Sequence, residues 1–430
     1  MNIFQLSKSV LLTCFFMVIY YIIMEKYYDL FIVENYARFG FVFKPNSVKY
    51  LESYMIFGFA IVLSVLVSRL SGFIYSVYIF FMIFFLVPNL ITYSHSDQMG
   101  APHYSVLLLL ILLGTVSTIK YKIPEVKNST YSYGTVMLFV LAALVPILIS
   151  FGVYFNPLNL LLLDVYNTRD YFDESTSPLI NYLFNWLIKA IVPVSMIYFL
   201  INKRYWYAFL SFVVLLYLYL VSGNKLVYLT SFVMLFFFVA GNGYLQKTRN
   251  IVIALVVGLL AAPVIDAFVF GNDTIKGTFV MRMLFLPSYL NYYFFDFFKD
   301  QPLYFAESHF FGMFVDYPFH RSIGYIIAEK YLNVSDMNAN NGIIGDGFMN
   351  LGYLGVGINI MIVTLVFQFF NSLKTDARYL GIFFVMIFLF LSIPMLTMFV
   401  TSGLWLLFLM GMSFMRTKEV KADWKSVEGG

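Results

Sequence analysis

Residues 72–90 read GFIYSVYIFFMIFFLVPNL, nineteen positions without a charge. At 1.5 Å per residue a helix of that length crosses a hydrocarbon core about 30 Å thick. The same signal recurs on both sides of it, at 10–24, 51–67, 105–119, 135–154, 179–201, 205–221, 226–240, 251–270, 351–373, 379–400 and 404–415. Of the 430 residues, 61% are hydrophobic and only 12% charged, more apolar surface than one soluble core buries. The fold class expected is an all-α polytopic membrane protein of about twelve transmembrane helices. It forms a single integral membrane domain, 1–430, with one long extracytoplasmic loop, 271–350, containing short amphipathic helices.

The remaining composition narrows the chemistry. An aromatic share of 20% suits lipid contact, rings at headgroup level and sugar-stacking surfaces. The lone cysteine, Cys14, excludes an internal disulfide and a cysteine metal site. The first run lies between Lys8 and the Glu25-Lys26 pair without an A-x-A-like cleavage site, so an uncleaved first span is expected.

Basic residues set the orientation. With the N-terminus inside, the cytoplasmic segments hold fifteen of the 27 lysines and arginines: Lys8, Arg69, Lys120, Lys122, Lys127, Lys203, Arg204, Lys247, Arg249, Lys374, Arg378, Arg416, Lys418, Lys421 and Lys425. Against them stand only Glu125, Asp376, Glu419, Asp423 and Glu428. That split obeys the positive-inside rule, places both termini in the cytoplasm and puts the long loop outside a bacterial inner membrane. An outward catalytic loop has no access to nucleotide sugars or ATP, and the inward connections are too short to fold as a domain. Any energy must arrive on the substrate.

The longest polar-bearing interruption, 281–357, carries Arg282, Glu307, His309, His320, Arg321 and Asp346. After Pro287, Leu290, Phe294, Phe297 and Phe298 fall on one helical stripe, with Ser288, Asn291, Tyr292, Asp296 and Lys299 opposite, which predicts a helix lying along the membrane surface. Pro302 and Pro318 punctuate two further short helices. The passage 338–347, NANNGIIGDG, is turn-rich and delivers Asp346 between two glycines. The outward loop 155–178 and the turn Ser222-Gly223-Asn224-Lys225 face the same side, so Arg169 and Lys225 converge with the long loop if the spans pack as a bundle. Taken singly, each of these cations reads equally as a lipid-headgroup contact or a neutraliser of Asp170, Asp173 and Glu174. Lys189 lies near the middle of its span, between Ile188 and Ala190. It marks either an intramembrane functional site or a helix tilted so that it reaches an interface.

The order Arg282, Pro287, a tyrosine-rich patch ending Asp296-Phe-Phe, Pro302, Ser308, then NNGIIGDGFMNLGYLG from Asn340 resembles the Wzy-type O-antigen and capsule repeat-unit polymerases. Val165-Tyr-Asn-Thr-Arg169 and Ser222-Gly-Asn-Lys225 are similar to that family's patterns in the corresponding loop and turn, so the resemblance covers roughly 165–357. It implies an inverting glycosyltransferase that joins undecaprenyl-diphosphate-linked oligosaccharides, as donor and acceptor, on the outer membrane face. Membrane lipid and a chain-length regulator protein are the further partners it implies, and no nucleic-acid partner is expected. The leaving diphosphate needs cations: Arg282 first, with Arg169 and Lys225 in support and Arg321 in reserve. The acceptor hydroxyl needs a base, for which Asp346 is the first candidate and His309 or Glu307 the substitutes. His320, Tyr292, Asn341 and Lys189 complete the candidate substrate contacts. The outward loops contain no D-x-D motif, so neither a metal nor another cofactor is expected.

Other signals carry less. His309, His320, Glu307 and Asp316 do not share the i, i+4 spacing of a helical zinc pair. Gly352, Gly355 and Gly357 follow no strand and read as helix-packing positions rather than a dinucleotide loop. Two rivals share the topology, a lipid-linked oligosaccharide flippase and an O-antigen ligase. A flippase is expected to show paired halves with charges inside its spans, whereas here the polar residues gather in one late loop.

Overall fold

The computed structural model describes residues 7–97, 101–119, 121–123, 133–152, 156–161, 164–308 and 311–417, without the side chains of 101, 161, 166, 225, 226, 228 and 229. Lys120, Glu125, Lys127, His309 and the charged residues from Lys418 onward lie outside the described residues, as does the side chain of Lys225. In chain order the helices begin with α1 (Lys8–Phe39), α2 (Ser47–Leu70), α3 (Gly72–His95), α4 (Pro102–Val116) and α5 (Tyr133–Phe151). They continue with α6 (Val165–Ser175), α7 (Pro178–Ile201), α8 (Tyr205–Ser222), α9 (Lys225–Val239) and α10 (Tyr244–Phe270). The last are α11 (Leu286–Phe297), α12 (323–332), α13 (Ile343–Ser372), α14 (Ala377–Leu389) and α15 (Met395–Met415).

Among the described residues nine helices, α1, α2, α3, α5, α7, α8, α10, α13 and α15, are long and apolar enough to cross a membrane. The apolar α4, α9 and α14 are shorter. The fold is therefore that of a multi-pass α-helical membrane protein, with nine helices of full spanning length rather than twelve. Within the described residues each apolar run of the sequence falls largely on one of these helices, except that the final two divide differently. α14 ends at Leu389 and α15 begins at Met395, because Pro394 lacks an N–H and disfavours helix in the residue before it. α1 runs on past Glu25 and Lys26 to Phe39 through a π-helical turn at Tyr28–Ile32.

The uncharged stretch at 72–90 forms the centre of the bundle. All of α3's spanning window is buried inside the protein, as a helix apolar on every face requires. Its neighbours attach through hydroxyls that find carbonyls: Tyr20 donates to Ile83 O at 3.1 Å, Tyr78 to Ala60 O at 3.0 Å and Ser53 to Leu90 O at 3.2 Å. In a bilayer such polar tips have no water to bond, so each interhelical acceptor also fixes a helix rotation.

The two ends of the bundle differ in charge. At one end Arg249 reaches Ser9, Ser71 bonds Asn371, Arg378 pairs with Asp376 at 2.6 Å, Asp376 N meets Met415 O and Arg416 reaches Ile123 O. These contacts bring the basic connections of the sequence to a common face. Lys247 there donates to Phe237 O and Phe238 O, the free carbonyls at the end of α9.

The opposite end holds the long loop, and here the structure departs from the sequence reading. α11 forms where the periodicity placed it, but it does not lie exposed along a membrane surface: Ser288 through Phe295 are all buried. Both faces are covered because its tyrosine hydroxyls find backbone acceptors, Tyr289 on Gly40 O, Tyr292 on Asn89 O at 3.0 Å and Tyr293 on Phe39 O at 2.8 Å. Only its end emerges, where Asp296 pairs with Lys299 and accepts from Tyr331 of α12.

α13 is two helices. Leu351 and Gly352 leave helical geometry, with Gly352 at φ +59°, and residues 343–350 fold back against 353–372. Asn359 donates to Ile343 O across the hairpin at 2.8 Å. Gly347 and Gly355 make the close approach possible, since a Cβ on Gly347 would lie 2.7 Å from the carbonyl carbon of Gly355. The spanning arm is thus 353–372, close to the expected 351–373.

Candidate functional site at the long loop

The loop after α11 folds onto the short arm of α13. The N–H groups of Leu303 and Tyr304 cap Met349 O and Asn350 O, and Phe305 N donates to Asn350 Oδ1 at 2.9 Å. This satisfies carbonyls left open at the arm's C-terminus. It also holds two adjacent non-glycine residues, Tyr304 (φ +52°) and Phe305 (φ +62°), in the left-handed region, a strained arrangement that surrounding contacts must enforce.

Beyond that clamp the chain forms an open groove lined by Glu307, Ser308, Tyr317, His320, Arg321 and Ser322. Glu307 Oε1 accepts from Ser322 Oγ at 2.6 Å and from Ile323 N at 3.1 Å, a carboxylate at the start of α12 where the helix dipole favours it. Arg321 pairs with Glu329, reaches Tyr325 O at 3.4 Å and has a buried Nε without a partner among the described residues. Tyr317 donates to Arg321 O at 2.8 Å, and burial with Glu307 nearby pushes its phenol up to about 12. His320 is exposed at the rim. Met313, exposed by 70%, lines the groove with Ala306 and Phe319, and Phe314, exposed by 75%, follows it in the chain, so the groove has an apolar side.

Asp346 sits behind this groove rather than in it. Its side chain is 4% exposed and accepts from Asn350 Nδ2 (2.9 Å), Asn359 Nδ2 (3.3 Å) and Met395 N (3.0 Å). The carboxylate therefore joins both arms of α13 to the start of α15. Asn350 then links it to Phe305, two residues from Glu307. Asn341 is buried beside it, donating to Met349 Sδ at 3.6 Å, and Asn291 accepts from Gly345 N at 3.2 Å.

The other sequence candidates separate. Gly223, at φ +61°, packs so closely on α6 that a Cβ would lie 2.5 Å from Val165 O and 3.3 Å from Arg169 N. The turn 222–225 and the Arg169 segment are thus neighbours, and Tyr219 and Asn159 fasten them further. Arg169 itself points outward, 64% exposed, with Asp173 at 3.7 Å. Arg282 is exposed on the π-helical stretch Lys276–Phe285 and forms no ion pair among the described residues. No hydrogen bond or ion pair among the described residues joins Arg169, Arg282 and Asp346. Tyr292 is in the core, with its hydroxyl on Asn89 O. Lys189 lies deep in α7 and donates to Ser402 Oγ at 3.0 Å.

No protein-family model, curated protein or solved structure matches the chain.

One cluster escaped the sequence reading. The ends of α1 to α4 on the long-loop side meet in a polar network: Tyr50 contacts His95 Nε2, His95 lies 2.9 Å from Asp29, Tyr54 donates to Glu25 at 2.9 Å, and Tyr93 and Tyr104 both donate to Glu52. The signal was present as Glu25 and Asp29 at i, i+4, and as Tyr50, Glu52 and Tyr54 on adjoining positions. Each lies at the edge of an apolar run, where it reads as an ordinary helix end.

Chemically, the groove offers a carboxylate, an imidazole and a guanidinium at the less basic end of the bundle, beside apolar side chains. That set can orient a hydroxyl, accept its proton and hold an anion.

Proposed function

We propose that the protein is a membrane glycosyltransferase that joins lipid-diphosphate-linked oligosaccharide units at the outward face, the reading its sequence resemblance to Wzy-type polymerases implies. The observation that carries it is the groove at 306–322, where Glu307, His320 and Arg321 meet beside the exposed Met313. An amphiphilic substrate suits such a site: its lipid lies on the apolar side and its polar head enters the groove. In the reaction an acceptor hydroxyl attacks the anomeric carbon of the donor chain. The new glycosidic bond forms as the bond to the diphosphate oxygen breaks, and the hydroxyl proton passes to Glu307 or His320. Arg321, which lines the groove, supplies charge for the departing diphosphate, with the exposed Arg282 as the second cation. Asp346 takes a positioning role, because its carboxylate is enclosed by three donors.

Deleting the gene in its bacterial host and resolving surface glycan on a gel tests this. A single attached repeat unit is expected, and Glu307→Gln and Arg282→Ala should reproduce it while the protein still inserts. Persistent long chains would overturn the reading. The broken helices α13 and α15 and the intramembrane Lys189 favour a second reading, a transporter of the same lipid-linked unit. Loss of a transporter would instead trap units on the inner face.

A further inference from the structure

Lys189 belongs to a site of its own, independent of the outward groove. It sits eleven residues into α7, about 16 Å from the helix start and so near the middle of a bilayer core. Two irregularities meet at it. α7 carries a π-helical turn at Leu187–Ile191, a distortion that concentrates at functional positions. Opposite, α15 is interrupted between Phe399 and Leu404, with Gly403 at φ +77° and Trp186 Nε1 donating to the freed Val400 O at 3.0 Å. A cavity with room for about one water-sized particle lies between them, lined by Lys189, Ser402, Met234, Met386, Met398 and Leu407 among others.

The polar content of this cavity is one-sided. The Lys189 ammonium uses one donor on Ser402 Oγ and makes no ion pair among the described residues. The Ser402 hydroxyl proton has no acceptor among them either, and no carboxylate lines the space. An ammonium in a membrane interior needs a counter-charge or a polar partner, and thioether and aliphatic walls supply neither. We infer that Lys189 and Ser402 bind one small monovalent anion of the halide class in the interrupted segment of α15. The cavity is too small for a diphosphate or a sugar, so the anion is a fixed counter-ion that sets the α7–α15 contact rather than the glycan substrate.

Full-length protein in detergent, melted in sodium chloride, sodium bromide or sodium gluconate at equal ionic strength, tests this. Wild type should melt about 2–4 °C higher in the halides, as expected for a ligand bound only to the folded state. Lys189→Met should melt alike in all three. A wild type indifferent to the anion, or a halide shift that survives in Lys189→Met, would overturn the site. If Lys189→Met does not fold, Ser402→Ala keeps the ammonium and removes one donor. The bromide concentration for half-maximal stabilisation should then rise roughly tenfold or more, the loss of one charge-assisted hydrogen bond. An unchanged value would equally reject the proposal.

Discussion

α13 and α15 are both interrupted helices with a positive-φ glycine at the break, Gly352 at +59° and Gly403 at +77°, and each interruption presents a charge. In α13 the charge is Asp346, enclosed by Asn350, Asn359 and Met395 N. At the break of α15 it is Lys189 of the facing α7, met by the single hydroxyl of Ser402 beside a cavity. A broken helix frees backbone and room for polar groups, but the number of partners decides its use. A fully satisfied charge locks three segments together, while an under-satisfied one marks a place for something else to bind.

The largest effect should come from closing the tight side of α13. Gly355→Ala places a methyl inside the contact distance of the facing Gly347 backbone, which cannot retreat without parting the arms. Destabilisation at or above the ~1–3 kcal/mol typical of overpacking is expected, visible as lost yield of folded protein in detergent. Normal yield and melting would mean the hairpin is looser than its glycines imply. Next, Asp346→Ala strands two amides and a backbone N–H in a buried junction and should cost about 3 kcal/mol or more. Asp346→Asn, of the same shape, should cost less. Lys189→Met in gluconate should by contrast change stability by under about 1 kcal/mol, because it removes a charge with no acid to strand. Equal losses at the two positions would erase the distinction between the two breaks.

A smaller effect is expected on the groove. Glu329→Gln weakens the pair that holds Arg321, and the Glu329 carboxylate is 60% exposed, so melting should move little. Chain length on a glycan gel is the sensitive readout, and normal chains with Glu329→Gln would remove Arg321 from the site.

How much of this was legible in the sequence follows from what each residue depends on. The spans were readable because lipid demands long apolar runs, and the common basic end because charge resists translocation. From the sequence Arg169 and Lys225 are expected to converge with the long loop; the contact found is of Gly223 with the Arg169 segment, which a shared side alone does not specify. The placement of Asp346 was not legible because its glycine-flanked setting suits a ligand loop and a helical hairpin equally, and only the return of Gly355 onto Gly347 separates them. The burial of Tyr292 was not legible for a related reason: a tyrosine opposite an apolar stripe reads as exposed until a carbonyl such as Asn89 O is found for its hydroxyl. Of the groove's residues, Glu307, His320 and Arg321 are named from the sequence and Tyr317 and Ser322 are not, and their convergence depends on the clamp of 303–305 on Asn350, which has no sequence period.

The smallest effect concerns how α11 is held against the α13 hairpin. Asn291 of α11 accepts from Gly345 N, and α11's outer end is held by Asp296 accepting from Tyr331 at 2.7 Å. The Tyr331 hydroxyl, then Lys299 and Lys330, keep the Asp296 carboxyl below its ordinary value against a partial burial that raises it. A depressed carboxylate stabilises the folded state above its unfolded value of roughly 4 and ceases to do so as pH falls through the folded one. Limited proteolysis between α11 and α12 should therefore be slow at pH 5 and quicken below about pH 4. Asp296→Asn should cut at a rate independent of pH in that interval, with the halide response of Lys189 untouched. Should acid loosen the Lys189 site in step with α11, the two breaks would form one cooperative unit, and their contrast would be of charge alone rather than of independent function.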